Sequence, residues 1–478
     1  MTPHMKNRMK IAAAARPAGF LGLLPLVAAL LLAGCATVSK EPYQSAAIAL
    51  PGAFAHGASA GVVTAPRDPS ALTGRWWTAF GDAALDQLVD GALARNNDLA
   101  AAGFRVRAAQ LQAGIAQRNL VPTVTGGLNT AASRPLDGGA SARSNTLSVG
   151  ASYEVDLWNR LGAQRDIARW EAEATVQDRE ASAQALAGTT ATLYWQLGYL
   201  AQRVATSASS VAYAQRTLAL VQTQFDAGAV SPLEVAEARQ SVSTQRAALA
   251  LLEQQRVEAG NALALLFDGS PPPAVAVAAP ALPAGALPVV PEGVPAEVLA
   301  RRPDVRAAEL RLRESFTFIQ ATRASYYPAL TLTGALGGSS TNLLNVLSNP
   351  IGTLGAGLTL PFLQYRLADL NVRVSQAQYE QAVVTFRQTL YQALADVDNA
   401  LSARTRLAEQ GVQLQARLND ALTAERLYET RYRLGAVTLR IWLDAQESRR
   451  NAEIALAENR YNRLVNHATL FRVLGGGV

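Results

Sequence analysis

Phe225-Asp226-Ala227-Gly228-Ala229-Val230-Ser231 and Tyr432-Arg433-Leu434-Gly435-Ala436-Val437-Thr438 stand 207 residues apart and close two long runs that lack proline. Proline is absent from 136 to 231, from 233 to 270 and from 362 to the end, and good helix formers such as alanine, glutamine, arginine, glutamate and leucine fill these runs. The pattern predicts single helices over about 160 to 226 and 364 to 433, each of about 65 to 70 residues and roughly 100 Å long at 1.5 Å per residue. Each reverses at a glycine, Gly228 or Gly435, and returns as a second helix of about 35 to 40 residues. Helices this long belong to antiparallel coiled coils rather than to globular cores.

Further landmarks precede both helices. Asn119-Leu120-Val121-Pro122-Thr123-Val124-Thr125 recurs as Ser325-Tyr326-Tyr327-Pro328-Ala329-Leu330-Thr331 at an offset of 206. Arg95-Asn96-Asn97-Asp98 recurs as Arg301-Arg302-Pro303-Asp304, and Arg160 as Arg366, at the same offset. The chain therefore reads as a tandem duplication, with one residue gained within a long helix. The first repeat covers 76–270, with a β-hairpin at 121–156 and a helical hairpin at 160–267; the second covers 296–474, with a β-hairpin at 328–361 and a helical hairpin at 364–472. Between them, 271–295 holds eight prolines in a low-charge stretch, which suits a linker and neither a long helix nor a central strand.

From Asn145 to Asp156 the pattern has period two, with Leu147, Val149, Ala151, Tyr153 and Val155 on one face and Thr146, Ser148, Gly150, Ser152 and Glu154 on the other. Thr353 to Leu360 sets Leu354, Ala356, Leu358 and Leu360 against Thr353, Gly355, Gly357 and Thr359. Val121 to Ala131 and Pro328 to Gly338 are the expected hairpin partners. Such strands fit a soluble four-stranded sheet packed on helices, or transmembrane strands with lipid outside and water inside. A barrel needs about eight strands, because open edges cannot exist in hydrocarbon. Four strands per chain would then oblige several chains to share one barrel.

The first residues favour the membrane. A basic stretch from Lys6 to Arg16 precedes the apolar run Phe20 to Ala33, the length of a signal-peptide core and too short to span a bilayer. It ends Leu32-Ala33-Gly34-Cys35, which resembles the bacterial lipobox. That resemblance implies removal of a signal peptide over 1–34 and an N-acyl, S-diacylglycerol group on Cys35, at the head of a lipid-anchored segment over 35–75. Ala36 in place of aspartate implies sorting to the outer membrane, and several acyl chains together anchor firmly.

Composition narrows the chemistry. The 478 residues are 49% hydrophobic, 6% aromatic and 17% charged, with a formal net charge of +6. Lys6, Arg8, Lys10 and Arg16 lie in the leader, so the remainder carries +2, which weighs against nucleic acid as a partner. The single cysteine excludes a disulfide framework. Outside the leader only His56 and His467 remain, which weighs against a metalloenzyme or a histidine-based hydrolase. The expectation is no catalytic residue, no metal and no cofactor beyond the covalent lipid.

Together, the lipobox, the duplicated unit, the proline-rich joint and the turns at Gly228 and Gly435 resemble the outer membrane efflux protein family of TolC and OprM. Arg75-Trp76-Trp77, Phe80, Asp82 and Arg301-Arg302-Pro303-Asp304 look like the NodT-type lipoproteins that serve RND pumps. The resemblance implies an α+β membrane protein forming a homotrimer. Four strands per protomer would build a 12-stranded β-barrel in the outer membrane, continued by a coiled-coil helical barrel in the periplasm. It implies a passive duct for small molecules such as drugs, joined through a periplasmic adaptor to an inner-membrane RND pump. By the same resemblance, Gly228, Ala229, Gly435 and Ala436 form the tips that adaptors grip, while Glu234 and Asp444 belong to the periplasmic gate. Ile441 stands one turn before Asp444, where the family's acidic ring has a second aspartate, so this chain departs from that pattern. Two rivals remain: a type I secretion duct, and a non-channel coiled-coil lipoprotein of the periplasm. Pro303 and Asp304 also suit a plain helix start, and Trp76 and Trp77 plain packing anchors.

Overall fold

The computed structural model describes residues 43, 54–56, 74–269, 282–283, 285–288 and 300–476. The leader over 1–34, Cys35, most of 35–75 and most of the linker over 271–295 fall outside the described residues. The chain divides into two units, Met1–Ser45 and Ala46–Val478, and every element below lies in the second. A short turn of 3-10 helix, Trp76–Phe80, leads into α1 (Ala83–Arg95), α2 (Asn97–Arg118), β1 (Thr123–Ser133), β2 (Ala142–Val155), α3 (Arg160–Asp226) and α4 (Pro232–Leu265). A like succession follows as α5 (Pro303–Ala324), β3 (Ala329–Ser340), β4 (Pro350–Thr359), α6 (Tyr365–Arg433) and α7 (Leu439–Val473).

The recurring tetrapeptides turn out to be helix starts. Asn96 caps α2 by accepting from the Leu99 N–H at 3.0 Å. Pro303 opens α5, where its missing N–H costs nothing. The buried Arg302 guanidinium just before it donates to Asp304 at 3.1 and 2.8 Å, to Asp396 at 3.3 Å, and to the carbonyls of Ala393 at 3.2 Å and Val473 at 3.4 Å. One side chain thereby ties the start of α5 to the middle of α6 and the end of α7. In the long helices, hydroxyls such as those of Thr175, Thr190 and Ser210 donate to the carbonyl four residues earlier, which keeps them compatible with continuous helix.

The core is a waist partway along the helices. Trp76 stacks on Phe471 of α7 with ring centroids 5.4 Å apart, and Phe80 lies 4.9 Å from Trp195 of α3. Leu85, Leu88 and Val89 of α1 are buried against the same cluster. Asp82 caps α1 through the N–H groups of Ala84 and Leu85, and its second oxygen accepts from the Tyr194 hydroxyl at 2.9 Å. Leu282 is buried in this cluster too, so the proline-rich segment is more than a spacer: its leucine is held by the waist.

The helices form one layer whose order changes along its length. On the strand side of the waist, neighbours run α2–α3–α5–α6; on the other side they run α4–α3–α7–α6. The sheet repeats the first order, β1–β2–β3–β4, all antiparallel, with the outer edges of β1 and β4 unpaired among the described residues. β4 begins at Pro350, three residues before the alternation becomes legible, and places Ile351 on the threonine face; Leu360 lies just past its end. Pro350 cannot donate to a ladder, which is tolerated at the first residue of an edge strand.

A carboxylate cluster lies where α3 faces α5. Arg311 sits 3.2 Å from Glu171 and 2.5 Å from Asp178, and Glu314 is beside Glu171. Burial, then the neighbouring Glu171 charge, pushes the Glu314 carboxyl up to about 7, against a smaller opposing pull from Arg311. A raised folded-state value stabilises the fold below the unfolded value, and this stabilisation is lost as pH rises through about 7. Thermal unfolding between pH 5 and pH 8 should therefore show a loss of about 1–2 kcal/mol, discounted for partial exposure. Glu314→Gln should flatten that slope; an unchanged slope would show that another group titrates.

Candidate functional site

Three features are candidates for function: an exposed apolar sheet face, a band of aromatics beneath it, and two matched helix turns at the far end. Cross-strand partners share a face, so the register sorts the side chains. Leu128 opposes Leu147, Val149 opposes Leu336, and Leu330 opposes Leu358. On the other face Thr125 opposes Gly150, Ser152 opposes Thr333, and Thr331 opposes Gly357. The apolar face is uncovered, with Val124, Leu128, Val149, Leu336, Leu354 and Leu358 all exposed. An apolar surface of this continuity marks contact with another chain or with lipid. Where the strands meet the helices, Trp158 and Tyr327 lie 5.1 Å apart, and the Trp158 indole donates to the Pro328 carbonyl at 2.8 Å. Tyr327, Phe362 and Tyr365 are exposed at the same level. Amphipathic rings with one wet end gather at a membrane boundary. Among the described residues no helix is long and apolar enough to cross a membrane.

The two turns have the same backbone solution. Gly228 has φ +74° and Gly435 φ +71°, the left-handed conformation that costs other residues about 1–2 kcal/mol. Gly228 N–H donates to the Phe225 carbonyl and Ala229 N–H to that of Gln224, both at 2.8 Å. Gly435 and Ala436 do the same towards Tyr432 at 2.9 Å and Arg431 at 2.8 Å, so both helices end in a Schellman motif. Ala229, Leu434 and Ala436 are exposed, and a Cβ at either glycine would meet open space.

Behind the turns the two helical hairpins are fastened to each other. The Tyr432 hydroxyl donates to Gln224 Oε1 at 2.7 Å, its ring stacks 5.1 Å from Trp442, and the Tyr213 hydroxyl reaches Glu429 at 3.4 Å. Arg449 lies 2.5 Å from Glu425 and 2.7 Å from Glu453. Burial raises the Tyr432 phenol above its ordinary range, and the negative charge of Glu234 adds to the shift, which places Glu234 beside this fastening. Asp444 is elsewhere: it is exposed on α7, on the side of Arg440 and Ile441 and away from the Trp442 cluster. Cys35 lies outside the described residues. So does the whole of Gly57-Ala58-Ser59-Ala60-Gly61, which has Gly-x-Ser-x-Gly spacing; among the described residues the exposed His56 ring meets Asp398 at 2.7 Å. The described residues hold no group of His, Cys, Asp and Glu able to bind a metal ion.

Family comparison agrees with this architecture. The chain matches the outer membrane efflux protein family over residues 88–268 and 294–476 and belongs to it; it is the outer membrane channel component of an efflux system. It is 31% identical over 402 residues to the toxin and drug export protein A of Aggregatibacter actinomycetemcomitans, covering 84% of this chain and 88% of that one. It is 32% identical over 465 residues to the pyoverdine export outer membrane protein OpmQ of Pseudomonas aeruginosa, covering 95% and 96%. Among solved structures it resembles the open state of the MtrE outer membrane channel of Neisseria gonorrhoeae, with a TM-score of 0.76, 28% identity, and 91% and 97% coverage. It also resembles the outer-membrane channel OprN, with a TM-score of 0.82, 25% identity, and 91% and 98% coverage.

Sequence reasoning missed the Tyr432–Gln224 fastening, although a signal existed. Tyr432 is the counterpart of Phe225 in the other repeat, so only the second copy carries a hydroxyl there, and its partner is the residue next to Phe225. Tyr432→Phe removes one hydrogen bond between the hairpins, worth about 1 kcal/mol. In planar bilayers its resting conductance should rise several-fold; conductance equal to wild type would show that this bond does not hold the turns together.

Proposed function

We propose that three copies of this chain form a passive duct through the outer membrane, with twelve strands in one barrel and a helical tunnel of roughly 100 Å below it. The observation that carries this reading is the sheet itself, uncovered on its apolar face and unpaired at both edges, which is stable in lipid only if other chains continue it. The helix edges repeat the demand. Phe104, Leu111 and Ile115 form an exposed stripe on α2, and Leu367, Leu370, Val374, Val384 and Tyr391 form one at heptad spacing on α6. Joining the α2 edge of one copy to the α6 edge of the next is a heterologous contact, which closes into a ring.

The two halves are copies of one unit, so the ring alternates similar helical hairpins. The exposed turns at Gly228, Ala229, Gly435 and Ala436 suit a periplasmic adaptor, which would link the duct to an inner-membrane RND pump supplying the energy. Glu234 and Asp444 are the gate carboxylates of this reading. Cys35, carrying its N-acyl and S-diacylglycerol chains, anchors the chain to outer membrane lipid. The cargo is small molecules such as drugs and toxic compounds, in line with relatives named for toxin and drug export and for pyoverdine export, and the protein itself catalyses nothing.

A photo-reactive benzoylphenylalanine at Leu111 tests closure, and suits a chain whose only lysines are Lys6, Lys10 and Lys40. Irradiation of native membranes should give covalent dimer and trimer and nothing larger; monomer alone would overturn the shared barrel. For the anchor, a radiolabelled fatty acid fed to cells should mark the wild-type protein, and Cys35→Ser should remove the label. Persistent labelling would place the lipid elsewhere.

A further inference from the structure

We propose that the outer rim of each protomer's sheet binds a phosphate-bearing lipid of the outer leaflet, its acyl chains on a leucine loop and its phosphate on two arginines. The proposal rests on the barrel reading above. The loop between β3 and β4 folds back over the apolar side of the sheet. Gly338 is buried, and a Cβ added there would overlap the Val346 carbonyl oxygen. Gly338 shares its face with Leu336, its neighbour two residues along the strand, and with Leu147, its partner on β2. Asn145, on that face of β2 and only 5% exposed, donates from Nδ2 to the Ser340 and Thr341 carbonyls at 3.2 Å each. Val346 is buried beneath the loop at 4% exposure. The fold-back is therefore pinned from both of the strands it crosses.

That position decides what can cover the loop. Leu343, Leu344 and Leu347 remain exposed, Leu344 by 90%. Their loop packs on Gly338 of β3 through Val346 and its start is held by Asn145 of β2, so it is anchored on the central strands and not on the β1 and β4 edges where neighbouring copies would pair. They are also on the opposite side from the threonine and serine face that would line water. The apolar face continues beneath them, so the occupant is hydrocarbon. Arg143 lies on the same face of β2, two residues beyond Asn145, and Arg134 immediately follows β1. Both are exposed, and neither has an ion pair among the described residues. Asp137 is the one acidic residue of their loop, and residues 326–364 carry no charged side chain, so the rim is net cationic. Guanidinium groups bind phosphate through paired hydrogen bonds, and acyl chains favour the leucines.

Native mass spectrometry of the detergent-purified full-length protein tests this with three probes: bis-phosphorylated lipid A, the same lipid dephosphorylated, and inorganic phosphate. The expected result is up to three bis-phosphorylated lipids per trimer, at least tenfold weaker binding of the other two probes, and a similar loss for Arg134→Gln/Arg143→Gln. Leu343→Ser/Leu344→Ser/Leu347→Ser should weaken lipid A binding without disturbing the trimer. Equal binding of the dephosphorylated lipid, or full binding by either variant, would overturn the site. So would a change in bilayer conductance with unchanged lipid binding, which would put the loops in the lumen. The same spectra report the oligomer: a bare monomer would refute the barrel reading and this proposal with it, whereas a trimer without selective lipid refutes the rim site alone.

Discussion

A sheet edge cannot stand open in hydrocarbon, because each unpaired N–H and C=O there costs several kcal/mol. In the proposed barrel that requirement falls on a sheet of four strands with two open edges, and the order of the helices follows that of the strands. Each strand hands over to one helix: α2 into β1, β2 into α3, α5 into β3, and β4 into α6. The strand order β1–β2–β3–β4 is thus copied as the helix order α2–α3–α5–α6, and both layers end at matching edges. α6 is an edge throughout its length, whereas the opposite edge passes from α2 to α4 at the waist. A continuous edge facing a changing one needs a rigid point of exchange, and the waist supplies it, with Trp76, Trp77 and Trp195 packed where α1 crosses α3 and α7.

The two halves share a plan, and their differences fall where the plan must be asymmetric. Asn96 caps α2 and donates from Nδ2 to the Leu266 carbonyl just past α4 at 3.4 Å, while the corresponding Arg302 reaches both α6 and α7. The first ties the start of one helix to the end of another; the second locks three helices together, and in both cases the last carbonyls of a returning helix gain a donor. Likewise Phe225 and Tyr432 are counterparts, yet only Tyr432 can bond across to the other hairpin. In the proposed ring, each half must use one surface for its sister and another for the next protomer. Single substitutions of this kind distinguish the two.

How legible this was from sequence depends on the range of the interaction. The long helices announce themselves through missing prolines and glycine turns, and α3, Arg160–Asp226, ends where the Gly228 motif says it must. Strand faces follow from period two, since Leu147, Val149 and Leu354 have no alternative register that keeps them on one side. Long-range contacts within the chain, such as Arg302 with Val473 or Glu314 with Glu171, join residues far apart in sequence and leave no periodic trace. Ile351 on the threonine face shows the same limit, because a strand's first residues answer to the loop before them as much as to the sheet. The turn glycines were legible as turns, and nothing in a single sequence says what touches them.

The distribution of packing also says where the helical layer parts most easily. The waist buries three tryptophans, with Phe471, Tyr194 and the leucines of α1, α3 and α7, and each large side chain removed from such a core costs about 3–5 kcal/mol. The far end is held by a smaller cluster around Val221, Tyr432, Leu439 and Trp442 and by side-chain hydrogen bonds worth about 1 kcal/mol each. Between them lie alanine-rich helices, whose small side chains allow neighbours to slide with little loss of buried area. Parting the hairpins at the turns therefore exchanges a few weak contacts for solvent, while parting them at the waist would expose the main core. The strand end is joined by three continuous antiparallel ladders, so parting strands there breaks many backbone bonds at once. Separation of the hairpins is thus cheapest at the end that carries Gly228 and Gly435.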